Sequence, residues 1–418
     1  MAQRSFLGDM LTTIFERKWV WRAEDDARSI EDMCIALLAS EGEVSGIGLA
    51  QAILERYASL GLAQKRDFFL FLNDQLEIDM TALQAAVETY VETLEFTDYR
   101  KIGRAAEPRR QELLRRLNQS PGATQALVNM RRDLLRVLKN TPALQRLDLD
   151  FKHLLRSWFN RGFLVLRQIS WETPANILEK IVEYEAVHAI DDWDDLRRRL
   201  YPQDRRCFAY FHPSMPDEPL IFVEVALTQN VPSSIQKVLA DDRETRAATE
   251  TSVAVFYSIS NCQRGLQGIS FGNLLIKQVV VELMQELPNL ETFVTLSPIP
   301  KMRDWQLKND RPVPAPGAVR AAAIDYLLNA KTPGGAPYDP VARFHLGNGA
   351  QIYAVHENAD LSEKGIAQSA GAMVNYHYDL ESIEQNHERF VTEGEVCQTA
   401  AFRSELNTRN KRKKAKVS

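Results

Sequence analysis

Apolar residues in the first third of the chain recur at helical spacing. Leu49, Ile53, Leu54 and Tyr57 follow a cap residue at Ser45 and stop at Gly61. An apolar segment runs from Phe68 to Ile78. Asp79 can cap a helix over Met80 to Leu94, with Leu83, Val87, Tyr90, Val91 and Leu94 as its stripe. Beyond Pro108 the pattern resumes at Leu113, Leu114 and Leu117. Ser120-Pro121 then reads as a cap with proline at the first helical position, opening a helix over Ala123 to Lys139. Its buried face is Leu127, Met130, Leu134, Val137 and Leu138. Short connections between such helices predict a bundle whose stripes serve as core or subunit interface. No convergence of polar residues in it suggests a catalytic site.

Near Asp148 the pattern changes. β-rich runs at Phe163 to Ile169, Cys207 to His212, Leu220 to Leu227, Val253 to Ser260 and Thr292 to Leu296 alternate with helical segments such as Thr173-Pro174 to Glu185. The predicted fold class is therefore multidomain, α and α+β: an N-terminal helical bundle over 1–149, then a mixed-sheet domain over 150–408. The basic run Arg409-Asn410-Lys411-Arg412-Lys413-Lys414 makes 409–418 a tail, read as solvated and disordered.

Composition narrows the function classes. The chain has 418 residues, 45% hydrophobic and 26% charged, with a formal net charge of -5. That balance fits globular domains and disfavours nucleic acid as a partner. Four cysteines, at 34, 207, 262 and 397, form no C-x-x-C pair, which argues against zinc or a disulfide framework and fits a reducing compartment. His377 and His387 lack partners at metal-ligand spacing, so no metal is expected. No apolar stretch approaches the ~20 residues that span a bilayer, and the first residues lack the core of a signal peptide. The expectation is a cytoplasmic protein with no membrane association.

Candidate chemistry begins after the strand Val253 to Ser260. The segment Gln267-Gly268-Ile269-Ser270-Phe271-Gly272-Asn273 lies between that strand and a helix marked by Leu274, Leu275, Val279, Val280, Leu283, Met284 and Leu287. Glycines permit close backbone approach, and N–H groups at a helix N-terminus favour an anion such as a pyrophosphate. The segment is neither G-x-G-x-x-G nor a Walker loop, and two glycines also suit an ordinary turn. The order strand, glycine loop, helix, strand resembles the coenzyme-A-binding core of the GNAT acyltransferase superfold, with Ser270 where a second small residue is usual.

Ser297 ends the next strand, and Pro298 and Pro300 are expected to turn the chain out of the sheet at once. Asp339-Pro340 caps a short helix that Gly347-Asn348-Gly349 ends. His345 falls in its last turn, where the helix dipole favours the imidazolium and hence a proton donor near neutral pH. Ser362 caps a further helix, which leads to the aromatic run ending at Tyr378.

Together these pieces resemble malonyl-CoA decarboxylases. The matching blocks include Ser157-Trp158-Phe159, Glu185-Ala186-Val187-His188, Arg205-Arg206-Cys207-Phe208, Gly265-Leu266-Gln267-Gly268, Leu296-Ser297-Pro298-Ile299-Pro300, Ala342-Arg343-Phe344-His345-Leu346 and Asn375-Tyr376 through Tyr378. The resemblance implies Ser297 and His345 as the catalytic serine and histidine, Tyr378 as an active-site tyrosine, and Gln267 to Asn273 as the malonyl-CoA-binding loop. Some family members carry glutamate where this chain has Ser270. It further implies a GNAT-like catalytic domain, malonyl-CoA and acetyl-CoA as partners, a role in fatty acid metabolism, and a homo-oligomer, usually a tetramer. No cofactor is needed, since coenzyme A belongs to the substrate and the thioester itself accepts the electron pair left by CO2. The competing classes are a GNAT-type acyltransferase, a thioesterase with Ser297 as nucleophile, and a non-catalytic acyl-CoA sensor.

Overall fold

The computed structural model describes residues 26–40, 42–269 and 275–417. They divide into two compact units. One comprises 26–164, His212–Pro216 and 263–269, and the other Val165–Phe211, Asp217–Cys262 and 275–417.

The first unit is helical, with helices at Ile30–Ala39, Glu43–Ser59, Leu62–Gln75, Met80–Thr93, Phe96–Ala105, Arg109–Leu117, Ala123–Leu138 and Gln145–Trp158. Its core collects Ile53, Phe68, Phe69, Leu72, Leu114, Leu127, Leu134 and Phe151, all nearly inaccessible to solvent. Each such side chain stabilises by about 1.5–3 kcal/mol relative to exposure. Asp79 caps as expected, accepting the N–H of Ala82 at 3.0 Å. Ser45 does not cap: its helix starts at Glu43 with Gly42 at the cap, and Ser45 donates to the Gly42 carbonyl. The helix expected from Ser120-Pro121 is capped by Gly122, in a left-handed conformation. The Met80–Thr93 helix adds nothing to that core. It has no buried residue, and Val87, Val91 and Leu94 of its stripe are exposed, as are Met80, Phe96 and Tyr99. Periodicity marked the apolar face correctly, and no described residue covers it.

The second unit is built on an eight-stranded mixed sheet: β1 Val165–Ile169, β2 Arg205–Phe211, β3 Ile221–Thr228, β4 Val253–Asn261, β5 Thr292–Thr295, β6 Ser297–Pro298, β7 Gln351–His356 and β8 Met373–His377. The order is β1-β2-β3-β4-β5-β8-β6, with β7 also on β8. β1 to β4 pair antiparallel, β4 and β5 pair parallel, and β8 runs antiparallel to β5, β6 and β7. A parallel pair needs a crossover, here the helix Leu275–Glu286. The helical region followed by a mixed sheet is the fold class read from the sequence. Neither β7 nor β8 was anticipated as a strand. The basic run expected in a disordered tail lies instead within the helix Ala400–Val417.

The two prolines after Ser297 do not end pairing at once, since Ser297 and Pro298 still face Val374 and Met373 on β8. Proline has no N–H to give, so it is tolerated in a two-residue pairing of this kind. The short helix Pro340–Gly347 is fixed at both ends. Asp339 is buried and accepts the N–H groups of Val341 and Ala342 at 2.9 and 3.0 Å. At the other end Gly349 has φ +82°, and a Cβ there would come within 2.0 Å of the Ile383 carbonyl oxygen. Left-handed strain and overpacking add, so Gly349→Ala should destabilise the protein by roughly 2–5 kcal/mol in urea unfolding. A loss under about 0.5 kcal/mol would show that this helix end is not held as described.

Candidate functional site

Alternation along a strand places residues i and i+2 on one face. Thr295 and Ser297 are such a pair, and Ser297 Oγ donates to Thr295 Oγ1 at 2.8 Å. Tyr376 and Tyr378 are another, at the end of β8. The β8 backbone locks the two pairs together: the Tyr376 N–H donates to Thr295 Oγ1 at 3.1 Å and the Tyr378 N–H to the Phe293 carbonyl at 2.8 Å. Asn375 adds a 2.7 Å bond from Nδ2 to the Thr295 carbonyl.

His345 is brought to these residues by the helix Pro340–Gly347 and lies in its last turn, as expected. Its ring stacks on Tyr376 with centroids 4.6 Å apart and planes 24° from parallel. Nε2 is 3.0 Å from Ser297 Oγ, and Nδ1 is 2.7 Å from the Tyr378 hydroxyl. The three residues named from the sequence therefore form one hydrogen-bonded chain. All three are buried.

Donor capacity sets the direction of that chain. Among the described residues, the Tyr378 phenol has no acceptor other than Nδ1, and its burial pushes its pKa well up, so it keeps its proton. The phenol then donates to Nδ1, the imidazole hydrogen resides on Nε2, and Nε2 donates to Ser297 Oγ. Ser297 passes the polarity on to Thr295. Among the described residues no carboxylate bonds the ring.

The protonation state expected for His345 is corrected by its surroundings. A helix C-terminus favours imidazolium, but burial without a counter-charge outweighs it and pushes the pKa down from 6.5 to about 3. His345 is a neutral donor, not a partly charged one. Thr295 and Tyr376 are the participants that motif reading missed. Their i, i+2 relation to Ser297 and Tyr378 was the available signal, but strand ends were needed to use it.

Of the predicted coenzyme loop, Gln267, Gly268 and Ile269 are described. Ser270, Phe271, Gly272 and Asn273 lie outside the described residues. Gly268 has φ +78°, a conformation glycine adopts without strain. The Arg264–Leu266 turn precedes it, and the Ile269 N–H donates to the Leu266 carbonyl at 3.0 Å. Among the described residues no cluster of metal-ligating side chains occurs.

The neutral state of His345 has a pH signature. Its folded pKa lies below its unfolded one, so the unfolded chain takes up the extra proton as pH falls below about 6.5 and stability is lost toward about 3. Compared with His345→Gln, the native protein should lose about 1.4 kcal/mol more per pH unit below pH ~6. Urea unfolding of both proteins at several pH values measures the difference. A constant difference would contradict a neutral buried imidazole.

Comparison with known proteins agrees with the geometry. The model of the malonyl-CoA decarboxylase C-terminal domain matches residues 162–315 and 314–416. That of the N-terminal domain matches 76–159. The structure of malonyl-CoA decarboxylase from Rhodopseudomonas palustris superimposes with a TM-score of 0.85 at 47% identity, covering 90% of this chain and 98% of that one. The Agrobacterium vitis structure of the same name gives 0.84 at 46%, with the same coverage. The goose (Anser anser anser) mitochondrial malonyl-CoA decarboxylase is 35% identical over 331 residues, which are 67% of this chain and 66% of the goose protein.

Proposed function

This chain belongs to the malonyl-CoA decarboxylase family, whose carboxy-lyase reaction turns malonyl-CoA into acetyl-CoA and CO2, and we propose that it performs this reaction through Ser297, His345 and Tyr378. Breaking the bond between the carboxylate carbon and C2 leaves the electron pair in the thioester enolate. C2 must then receive one proton. Ser297 supplies it and Nε2 of His345 reprotonates the serine oxygen, while the Tyr378 phenol keeps its proton and its hydrogen bond to Nδ1. Solvent returns the hydrogen to Nε2 once the products have left. Ser297 also hydrogen-bonds the substrate carboxylate and holds it out of the thioester plane, where the breaking bond overlaps the carbonyl π-system. No metal or cofactor takes part.

The observation that carries this reading is the phenol at Nδ1. A nucleophilic serine needs a base that becomes imidazolium, usually stabilised by a carboxylate. Here the ring faces a protonated phenol in a desolvated place, so an imidazolium has no counter-charge. A thioesterase is disfavoured by the same geometry that suits proton delivery to carbon. The loop Gln267 to Asn273 is assigned to the coenzyme portion of the substrate, with Gly268 allowing the backbone to approach the pyrophosphate.

The same proposal includes a homo-oligomer, with the exposed apolar face of Met80–Thr93 and Phe96–Ala105 as a subunit interface. Such faces mark association sites. It also includes a cytoplasmic location and a role in fatty acid metabolism. No described helix is long and apolar enough to cross a membrane.

Malonyl-CoA supplied alone should yield acetyl-CoA and CO2 in equal amounts. His345→Ala should lower kcat by ~10²–10⁴ with KM little changed. Tyr378→Phe, which removes only the donor to Nδ1, should lose less. Release of free coenzyme A in place of acetyl-CoA, or an unchanged kcat in the His345 variant, would refute the assignment.

A further inference from the structure

The helical unit holds a buried cation bonded to a carboxylate and to two main-chain carbonyls, one in the turn before the coenzyme loop and one at the loop's first residue. Arg131, on the helix Ala123–Leu138, is fully buried. Its Nη1 donates to the Gly265 carbonyl at 2.5 Å and its Nη2 to the Gln267 carbonyl at 2.9 Å. Its Nε donates to Asp148 Oδ1 at 2.9 Å, and Lys152 Nζ bonds the other oxygen of Asp148 at 2.7 Å. The guanidinium thus has a carboxylate counter-charge on one edge and two loop peptides on the other. Gly265 is drawn so close to the helix that a Cβ would meet the Val128 carbonyl oxygen at 1.9 Å.

In a trans peptide the C=O and the next N–H point in opposite directions. Holding the Gln267 carbonyl on Arg131 therefore turns the Gly268 N–H away from the helix. That N–H has no acceptor among the described residues, and φ +78° at Gly268 sets its direction. The N–H groups on either side are engaged, Gln267 with the Arg264 carbonyl and Ile269 with the Leu266 carbonyl, so the Gly268 N–H is the one left to donate to a phosphate oxygen. A lysine in place of Arg131 keeps the charge but not the planar fork that spans both carbonyls.

We infer that Arg131 is a positioning residue for substrate binding: from the helical unit, its guanidinium fixes the peptides at Gly265 and Gln267 so that the Gly268 N–H faces the pyrophosphate of the coenzyme. This inference rests on the assignment of the loop to coenzyme A.

The test compares malonyl-CoA with malonyl-pantetheine, which carries the same reacting group without the pyrophosphate. The intact enzyme should prefer malonyl-CoA in kcat/KM by on the order of 10²-fold or more. In Arg131→Lys, KM for malonyl-CoA should rise on the order of tenfold, while kcat/KM for malonyl-pantetheine stays within about twofold. A residue that merely supports the fold would lower both alike, and equal losses overturn the inference. If the lysine variant does not fold, Asp148→Asn, which removes the counter-charge and leaves the guanidinium, should shift the preference in the same direction; an unchanged preference in it overturns the inference. If the intact enzyme shows no preference, the loop assignment fails first and the role of Arg131 falls with it.

Discussion

The desolvation of one neutral imidazole is the constraint on which the site depends. Without a counter-charge, buried His345 stays unprotonated far below its ordinary pKa. Its two nitrogens must then divide the work of one acceptor and one donor. The Tyr378 phenol, also kept protonated by burial, claims the acceptor and leaves the donor facing Ser297. The chain of hydrogen bonds is thus polarised by environment, with no charge placed in it. A decarboxylase needs this polarity, because its product carbon must gain a proton and its carboxylate must lose its bond without a nucleophile attacking.

The fold supplies the geometry with few parts. Two strand ends each contribute an i, i+2 pair, and β8 fastens one to the other through backbone bonds to Thr295 and Phe293. A short helix, capped by buried Asp339 and closed by Gly349, sets the imidazole between them. Stacking on Tyr376 fixes the ring plane, so that both nitrogens meet their partners at once. Apart from that stacking, each support has a main-chain group as at least one partner, held in a sheet or at a capped helix end.

Much of this was legible in the sequence. Asp339-Pro340 and Gly347-Asn348-Gly349 bounded the helix of His345 correctly because caps are local chemistry. Ser297 was found because a strand pattern ended at it. The protonation state of His345 was not legible: helix dipole and burial act in opposite senses, and only three-dimensional packing shows that burial wins. Nor was it legible which use the Met80–Thr93 stripe has, since periodicity identifies an apolar face but not what covers it. Arg131 gave no signal either, because its partners are backbone carbonyls more than a hundred residues further along the chain. The grouping of Ser297, His345 and Tyr378 came from a family resemblance, and the structure brings the three together.

The central claim is that His345 is a neutral ring with its hydrogen on Nε2. Imidazole ¹⁵N chemical shifts of His345, assigned with a His345→Gln control and followed from about pH 8 to about pH 5, measure this directly. The account predicts an unprotonated Nδ1, a protonated Nε2 and no titration over that range. An imidazolium forming near neutral pH, or a hydrogen on Nδ1, would contradict it.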